Sequence, residues 1–489
     1  MSGFLYQKRY TVCGSFWEMW GSHDPFVDEI VHFSLSCRGL TLVMQVLFNL
    51  LIPDHTADAF SPPRPLPVSH GDHIVEFLFS GLGRWDAEHF LFIAEHGYVY
   101  EHNTAFFPLL PMVIRGLAQG PFLPLAGVLT LRSRLLLSSA FLNCACSTLA
   151  AVSLYLLGCV TLQSRRTSFL AALLFCMSPI SVFMTVAYSE SLFAVATFTG
   201  LWQLQKNRFL LGSALLSLAT AARSNGLVNA GFLVYSEMKA FLQQRSRHGL
   251  KAKRLCGIVL MILPFAIFQG YCYFRFCIPS YGVDNLPEKL AQLAKDKGYR
   301  VHGETVPLWC SYCFPLAYSH IQSEYWGVGL LRYFQLRQLP NFLLAAPAVF
   351  LGICAACKYI SANIELCRYL GLSDMETKGR HGFYGPRVFV YVAQLSFLMV
   401  FGVLCMHVQV VTRLLFSSCP VLFWFCAHII EEKEPWIWGL EKRKEASNPA
   451  RRLFRAWHSL QTQTQIPLGY FLAYWVIGTA LHVNFLPWT

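Results

Sequence analysis

LRSRLLLSSAFLNCACSTLAAVSLYLLGCV, residues 131–160, decides the fold class. After Arg134 it runs to Val160 without a charge, longer than the roughly 20 apolar residues a bilayer core requires of a helix. Working outward, further apolar runs lie at 40–52, 168–187, 190–205, 209–222, 227–238, 255–277, 340–357, 387–408, 414–430 and 467–486. The pattern predicts an all-α polytopic integral membrane protein with about 8 to 11 transmembrane helices. Runs 209–222 and 227–238 are short for a core about 30 Å thick at 1.5 Å per residue, so they are expected to be tilted or broken around a cavity. The run 106–117, interrupted by Pro108 and Pro111, reads as interfacial or re-entrant.

Composition agrees. The 489 residues carry 39 Lys plus Arg against 27 Asp plus Glu, a net charge of +12, yet only 13% are charged and 55% are hydrophobic. Mean hydropathy is +0.42. Soluble domains average about 25% charged residues, and disordered chains are poor in apolar and aromatic residues, so both classes are excluded. The basic surplus does not imply nucleic acid. It sits in short stretches between apolar runs, where excess Lys and Arg mark the cytoplasmic side. Of the 17 cysteines, Cys144, Cys146, Cys159, Cys176 and Cys426 lie inside apolar runs and read as small buried hydrophobes.

Residues 1–35 form an atypical cytoplasmic N-terminal segment, and 36–489 the membrane domain. The first apolar run begins just after Arg38, which marks its cytoplasmic end. Alternating sides from there places Arg165, Arg166, Lys206, Arg208, the cluster 245–254 and the loop 431–466 in the cytoplasm, in agreement with the positive-inside trend. It places 53–104, with eight acids against Arg64 and Arg84, on the lumenal or outer side. The excursion 278–339, rich in Trp and Tyr, is expected there too, as a folded cap near the headgroups.

The candidate chemistry lies on that side. Arg84-Trp85-Asp86-Ala87-Glu88-His89 sets two carboxylates two apart and a histidine three after the first. An extended backbone points Asp86 and Glu88 the same way, whereas a helix puts Asp86 and His89 on one face. A solvated acid capping a helix fits the spacing as well. Tyr188-Ser189-Glu190, Arg223-Ser224-Asn225-Gly226, the 310–320 region and His407 to Arg413 are expected to converge on the same face. Snorkelling to the interface is the competing reading for each. Arg223 and Arg413 are the sharper pair, because a lumenal arginine runs against the positive-inside trend and guanidinium suits phosphate. No metal site is expected: His96 and His102 form no HExxH pairing, and Cys310 and Cys313, an isolated CxxC, fit a disulfide or two thiols better than zinc. No GxxxxGK[ST] or GxGxxG phosphate loop is present.

The stretch WDAEHFLFIAEHGYVYEHNTAFFP at 85–108, with AFSPPR at 59–64, YSE at 188–190, RSNGLV at 223–228, PNFLLAAP at 340–347, CMHVQVVTR at 405–413 and HVNFLPWT at 482–489, closely resembles the PIG-V family, the second mannosyltransferases of GPI-anchor assembly. The resemblance covers roughly residues 36 to 489. It implies a GT-C glycosyltransferase fold in the endoplasmic reticulum membrane with a lumenal active site. It implies transfer of mannose from dolichyl-phosphate mannose to the first mannose of the GPI-precursor glycolipid, in α-1,6 linkage with inversion and with no cofactor beyond the lipid-linked donor. Asp86 is then the catalytic acid residue and Glu88 the second acid of the pair. Trp85, His89, Glu190, Arg223, Asn225, His407 and Arg413 form the substrate-binding set. A transporter or flippase of a lipid-linked sugar is the alternative that shares this composition, and a non-catalytic membrane scaffold is a third reading. A need for an accessory membrane subunit is left open.

Overall fold

The computed structural model describes residues 24–64, 67–243, 248–278, 286–303, 306–372, 381–438 and 448–486. Among them, nineteen α-helices follow in order: α1 Pro25–Leu51, α2 His70–Phe79, α3 Asp86–His96, α4 Leu109–Gln119, α5 Leu131–Leu162, α6 Arg165–Cys176, α7 Glu190–Gln205, α8 Phe209–Ala222, α9 Ala230–Leu242 and α10 His248–Cys277, then α11 Glu288–Lys297, α12 Ala317–Trp326, α13 Leu339–Ala362, α14 Ile364–Arg368, α15 Phe389–Cys405, α16 Val411–Ser418, α17 Pro420–Lys433, α18 Pro449–Arg455 and α19 Thr462–Val483. The β pairing among the described residues is a single antiparallel bridge, Tyr100 to Val301.

Among the described residues, six stretches are long and apolar enough to cross a membrane: Pro25–Leu51, Leu131–Leu162, Lys251–Cys277, Leu336–Ala362, Pro386–Cys405 and Thr462–Val483. Val408–Ser418 with Pro420–Lys433, bent by 76°, makes a seventh if counted as one span. The larger count expected from the sequence includes four runs that fold as shorter helices, α6 to α9, of 12, 16, 14 and 13 residues. Run 168–187 does not continue because α6 stops three residues before Pro179, a residue with no N–H to donate.

The helix that decides the fold is also its centre. At 1.5 Å per residue α5 is roughly 48 Å long, and 78% of its apolar window is buried inside the protein, against 28–44% for the other five spans. Those others keep bulky apolar side chains outward, such as Leu255, Val259 and Ile267 on α10 and Phe397 and Val400 on α15. Such a surface is stable only against lipid. Lipid supplies no hydrophobic drive between helices, so close approach through small residues replaces it. At the α7–α8 crossing, a Cβ on Gly200 would lie 2.6 Å from Leu216 Cγ, and one on Gly212 2.6 Å from Leu204 Cδ2.

Arg38 does not flank the first span. The helix begins at Pro25, capped by the Asp24 side chain, so residues 25–35 of the expected N-terminal segment are helix and Arg38 lies inside it, 2% exposed. Residues 1–23 fall outside the described residues. The Arg38 guanidinium donates to Cys176 O, a carbonyl of the last turn of α6, and to Ser181 O at 2.8 Å in the connection beyond it. Gln45 donates to Thr185 Oγ1 at 3.2 Å, and Asn143 donates to Val186 O and, at 3.1 Å, to Tyr188 O. These polar side chains hold the non-helical stretch 177–189 inside the bundle, which hydrocarbon alone does not permit.

The stretch expected as a lumenal loop, 53–104, is largely helical, carrying α2 and α3. The 286–326 region packs on it. Glu101, fully buried, accepts from Trp309 Nε1 at 2.8 Å and Tyr325 Oη at 2.7 Å. A disulfide joins Cys310 to Cys277 at the end of α10, and Cys313 is a free, exposed thiol. The CxxC is therefore not itself the cross-link, because the partner of Cys310 stands 33 residues upstream.

Candidate active site

At one end of the bundle a cavity of about 160 Å³ is lined by Asp86, Tyr188, Ser189, Arg223, Asn225, Tyr318, Gln322, Trp326, His407 and Arg413, with Phe90, Phe106 and Phe107 among its apolar wall. The charged groups and their neighbours arrive where a helix starts, stops or bends. Asp86 opens α3, Ser189 precedes α7, Arg223 follows α8, His407 follows α15, and Arg413 lies on α16, whose continuation is turned aside at Pro420. The turn after α8 needs its glycine: a Cβ on Gly226 would stand 2.5 Å from the Thr220 backbone. Trp85, before Asp86, has φ 56° and ψ −130°, a left-handed conformation that costs a non-glycine residue on the order of 1–3 kcal/mol.

The centre of the site is a charge relay across four residues. Both terminal nitrogens of Arg413 donate to Asp86 Oδ2 at 3.2 Å. Arg413 stands 3.6 Å from Glu190, and Arg223 pairs with the same Glu190 oxygen. Glu190 is fully buried, whereas Asp86 is 35% exposed. The Arg413 guanidinium lies 5.0 and 5.2 Å from the centres of the Phe183 and Tyr188 rings, and the Asp86 N–H donates to Tyr188 Oη at 3.1 Å. With two carboxylates and two guanidiniums the formal charge is zero. His407 adds none, since burial lowers its pKa from the ordinary histidine range; its Nε2–H donates to Trp326 O and its ring stacks on Tyr333.

The convergence expected from the sequence is therefore present for Asp86, Arg223, Asn225, His407 and Arg413, with Glu190 directly beneath. Three expected residues stand elsewhere. Because 86–96 is helix, Glu88 is turned about 200° from Asp86. It is buried between Arg64 at 2.7 Å and Arg132 at 2.5 Å and does not line the cavity. His89 is buried between the rings of Phe60 and Phe106, hydrogen-bonded to Asn103, and burial lowers its pKa. It supports Phe106, which does line the cavity. Trp85 packs against Phe485. Three aromatic or polar wall residues, Tyr318, Gln322 and Trp326, come from α12. Tyr318 belongs to the 310–320 region expected to converge here; Gln322 and Trp326 lie just beyond it, and their signal was the aromatic content of the expected cap. Among the described residues no cluster of three or more His, Cys, Asp or Glu is arranged to hold a metal.

Comparison with known proteins bears on this cavity. The family model "Mannosyltransferase (PIG-V)" matches residues 27–489. The chain is 47% identical to GPI alpha-1,6-mannosyltransferase 2 of Cricetulus griseus and 46% to that of Homo sapiens, each over 96% of this chain and all of the relative. It is 31% identical to GPI mannosyltransferase 2 of Drosophila pseudoobscura pseudoobscura, over 95% of this chain and all of that one. Among solved structures, the Archaeoglobus fulgidus oligosaccharyltransferase superposes with a TM-score of 0.47 at 12% identity, over 92% of this chain and 55% of that larger one. On a full-length family match and relatives approaching half identity, this multi-pass membrane protein belongs to the PIG-V mannosyltransferase family.

Proposed function

We propose that the chain transfers mannose from dolichyl-phosphate mannose to the first mannose of a GPI-anchor precursor, forming an α-1,6 link in the lumen of the endoplasmic reticulum as a GT-C-type enzyme. Support comes from the names of its nearly half-identical relatives. The observation that carries the reading is the cavity in which one part-exposed carboxylate, Asp86, is held by a buried arginine.

A β-linked donor and an α product require one displacement with inversion, and hence a single base. Both Arg413 contacts fall on Asp86 Oδ2, so Oδ1 accepts the proton of the acceptor 6-hydroxyl as the hydroxyl oxygen bonds to C1 of the donor mannose. Base catalysis of this kind contributes typically about 10²–10⁴-fold. The C1–O bond to phosphate breaks and the electron pair leaves on dolichyl phosphate, whose charge Arg223 and Arg413 stabilise. Both substrates are lipids whose reacting groups lie at headgroup depth. Glu190 opens α7 and Arg223 follows α8, while Lys206 and Arg208 stand at the other ends of the same two helices. A transporter instead places its polar groups near the midplane.

Asp86→Asn tests the proposal in cells lacking this activity. Expression at the normal level without return of GPI-anchored proteins to the surface, with the one-mannose intermediate accumulating in microsomes given labelled donor, supports it. Full restoration by Asp86→Asn overturns it.

A further inference from the structure

The end of α19 and the turn after it take no part in the reaction above, yet they pack on residues that adjoin both halves of the Asp86–Arg413 pair: Trp85 before Asp86, and the Phe183 and Tyr188 rings beneath Arg413. Phe485 has φ 55° and packs its ring edge-on against Trp85 at 5.7 Å, while the Arg84 guanidinium lies 4.6 Å above the same ring. Trp85 and Phe485 are two of the six non-glycine residues with positive φ among the described residues, and they face each other next to the proposed base. Such conformations persist only where the surroundings over-determine them. Here the surroundings are specific. Arg84 is also fixed by Asp54 at 2.8 Å and Asn49 at 3.3 Å. Asn484 O accepts from the His55 N–H at 2.9 Å, and Val483 packs so closely that a Cβ on Gly81 would lie 3.2 Å from it. One turn earlier, the ring of His482 stands 5.5 Å from those of Phe183 and Tyr188, the same two rings that underlie Arg413.

We infer that the C-terminal turn, through Phe485, is a positioning element for Asp86: its ring, clamped by Arg84, holds the left-handed Trp85 turn that aims the carboxylate into the cavity. The inference rests on Asp86 as the base. Phe485 does not line the cavity, so its effect belongs to the orientation of the pair and not to substrate affinity. Displacements on the order of 1 Å at a reacting group cost up to about a hundredfold in rate.

The test uses the full-length protein in microsomes and in detergent, with labelled dolichyl-phosphate mannose. Phe485→Ala is expected to lower kcat by about tenfold or more with KM for both substrates within about twofold. Phe485→Tyr, which keeps the ring, restores kcat. Phe485→Asn, which relieves the backbone but lacks the ring, does not. Arg84→Gln lowers kcat in the same sense, and the double variant with Phe485→Ala is no worse than the poorer single. That non-additivity is readable from active fractions even where a variant yields little folded protein. Unchanged kcat in Phe485→Ala, or additive losses, overturns the inference. Asp86→Asn run in parallel separates the two failures: if it is inactive while Phe485→Ala is fully active, only the positioning role is lost; if it retains activity, the reading of Asp86 falls first.

Discussion

Glu190→Gln separates charge from shape at the centre of the site. Glu190 is fully buried and serves as counter-ion to Arg223 and, at 3.6 Å, to Arg413. At an effective dielectric of about 20, one such pair at that distance is worth roughly 5 kcal/mol before desolvation, and removing one partner of a buried pair typically costs about 3–5 kcal/mol, since the other stays buried and charged. The loss is expected near the lower end, because Asp86 still neutralises Arg413. The four-residue sum changes from zero to +1. Two consequences of opposite sign follow. Thermal stability in detergent falls, while KM for the phosphate-bearing donor falls too, since the cavity now favours an anion. kcat drops because the leaving phosphate is retained and Arg413 is drawn onto Asp86, lowering its basicity. Stability would be read by loss of the monodisperse peak on heating and kinetics with labelled donor. A Glu190→Gln protein as stable as the parent with unchanged donor KM refutes the assignment of Glu190 as the charge that balances the two arginines.

Cys277→Ser and Cys310→Ser are each expected to destabilise the packing of the 306–326 segment, by about 4 kcal/mol in the chain-entropy treatment for a closure of this length, whereas Cys313→Ser is neutral; limited proteolysis of the detergent-solubilised protein distinguishes them. Arg38→Met removes the charged donor from the Cys176 and Ser181 carbonyls, leaving them only the Ser181 hydroxyl and the Met184 N–H, at about 1.5–3 kcal/mol per charge-assisted bond, and the yield of folded protein after solubilisation should fall well below that of Arg38→Lys. His102, buried among Phe60, Tyr100 and Tyr299 beside His89, has its pKa pushed down to about 3 from 6.5, first by burial and then by His89. A depressed folded pKa means stability complete above pH 6.5 and lost as pH falls toward 3, about 2 kcal/mol by pH 5. Midpoints measured from pH 7.5 to 5 should fall, and fall less in His102→Asn.

Much of the fold was legible because its signal is local. An uncharged run such as 135–160 has no comparable alternative to a buried helix, and the alternation of sides brought five separated motifs to one cavity. What was not legible depends on partners distant in sequence. Nothing near Arg38 tells that it caps a helix ending 138 residues later. The eight acids of 53–104 look alike in composition, yet Asp72 is spent on the start of α5, accepting from Thr130 and Ser133. Glu88 is spent on Arg64 and Arg132, and Glu101 on Trp309 and Tyr325. Only Asp86 is left part-exposed in the cavity, and only the helical register of 86–96 separates it from Glu88.

The shortness of α6 to α9 follows from the same requirement. A helix that crosses without interruption satisfies its own backbone and brings only side chains to any given depth. The proposed reaction between two lipid-borne sugars needs charged groups near the membrane surface, fixed to rigid backbone yet close to one another. Ending helices there meets both demands. The first residue of α3, the first of α7, the residue after α8 and the two-turn helix before Pro420 each deliver a charge, and the side chains of Arg38 and Asn143 donate to backbone carbonyls where the helix is interrupted between α6 and α7. On this reasoning a substitution that made the α6–α7 connection continuous helix would improve local backbone bonding and abolish transfer, because Tyr188 and Glu190 would no longer reach Asp86 and Arg413.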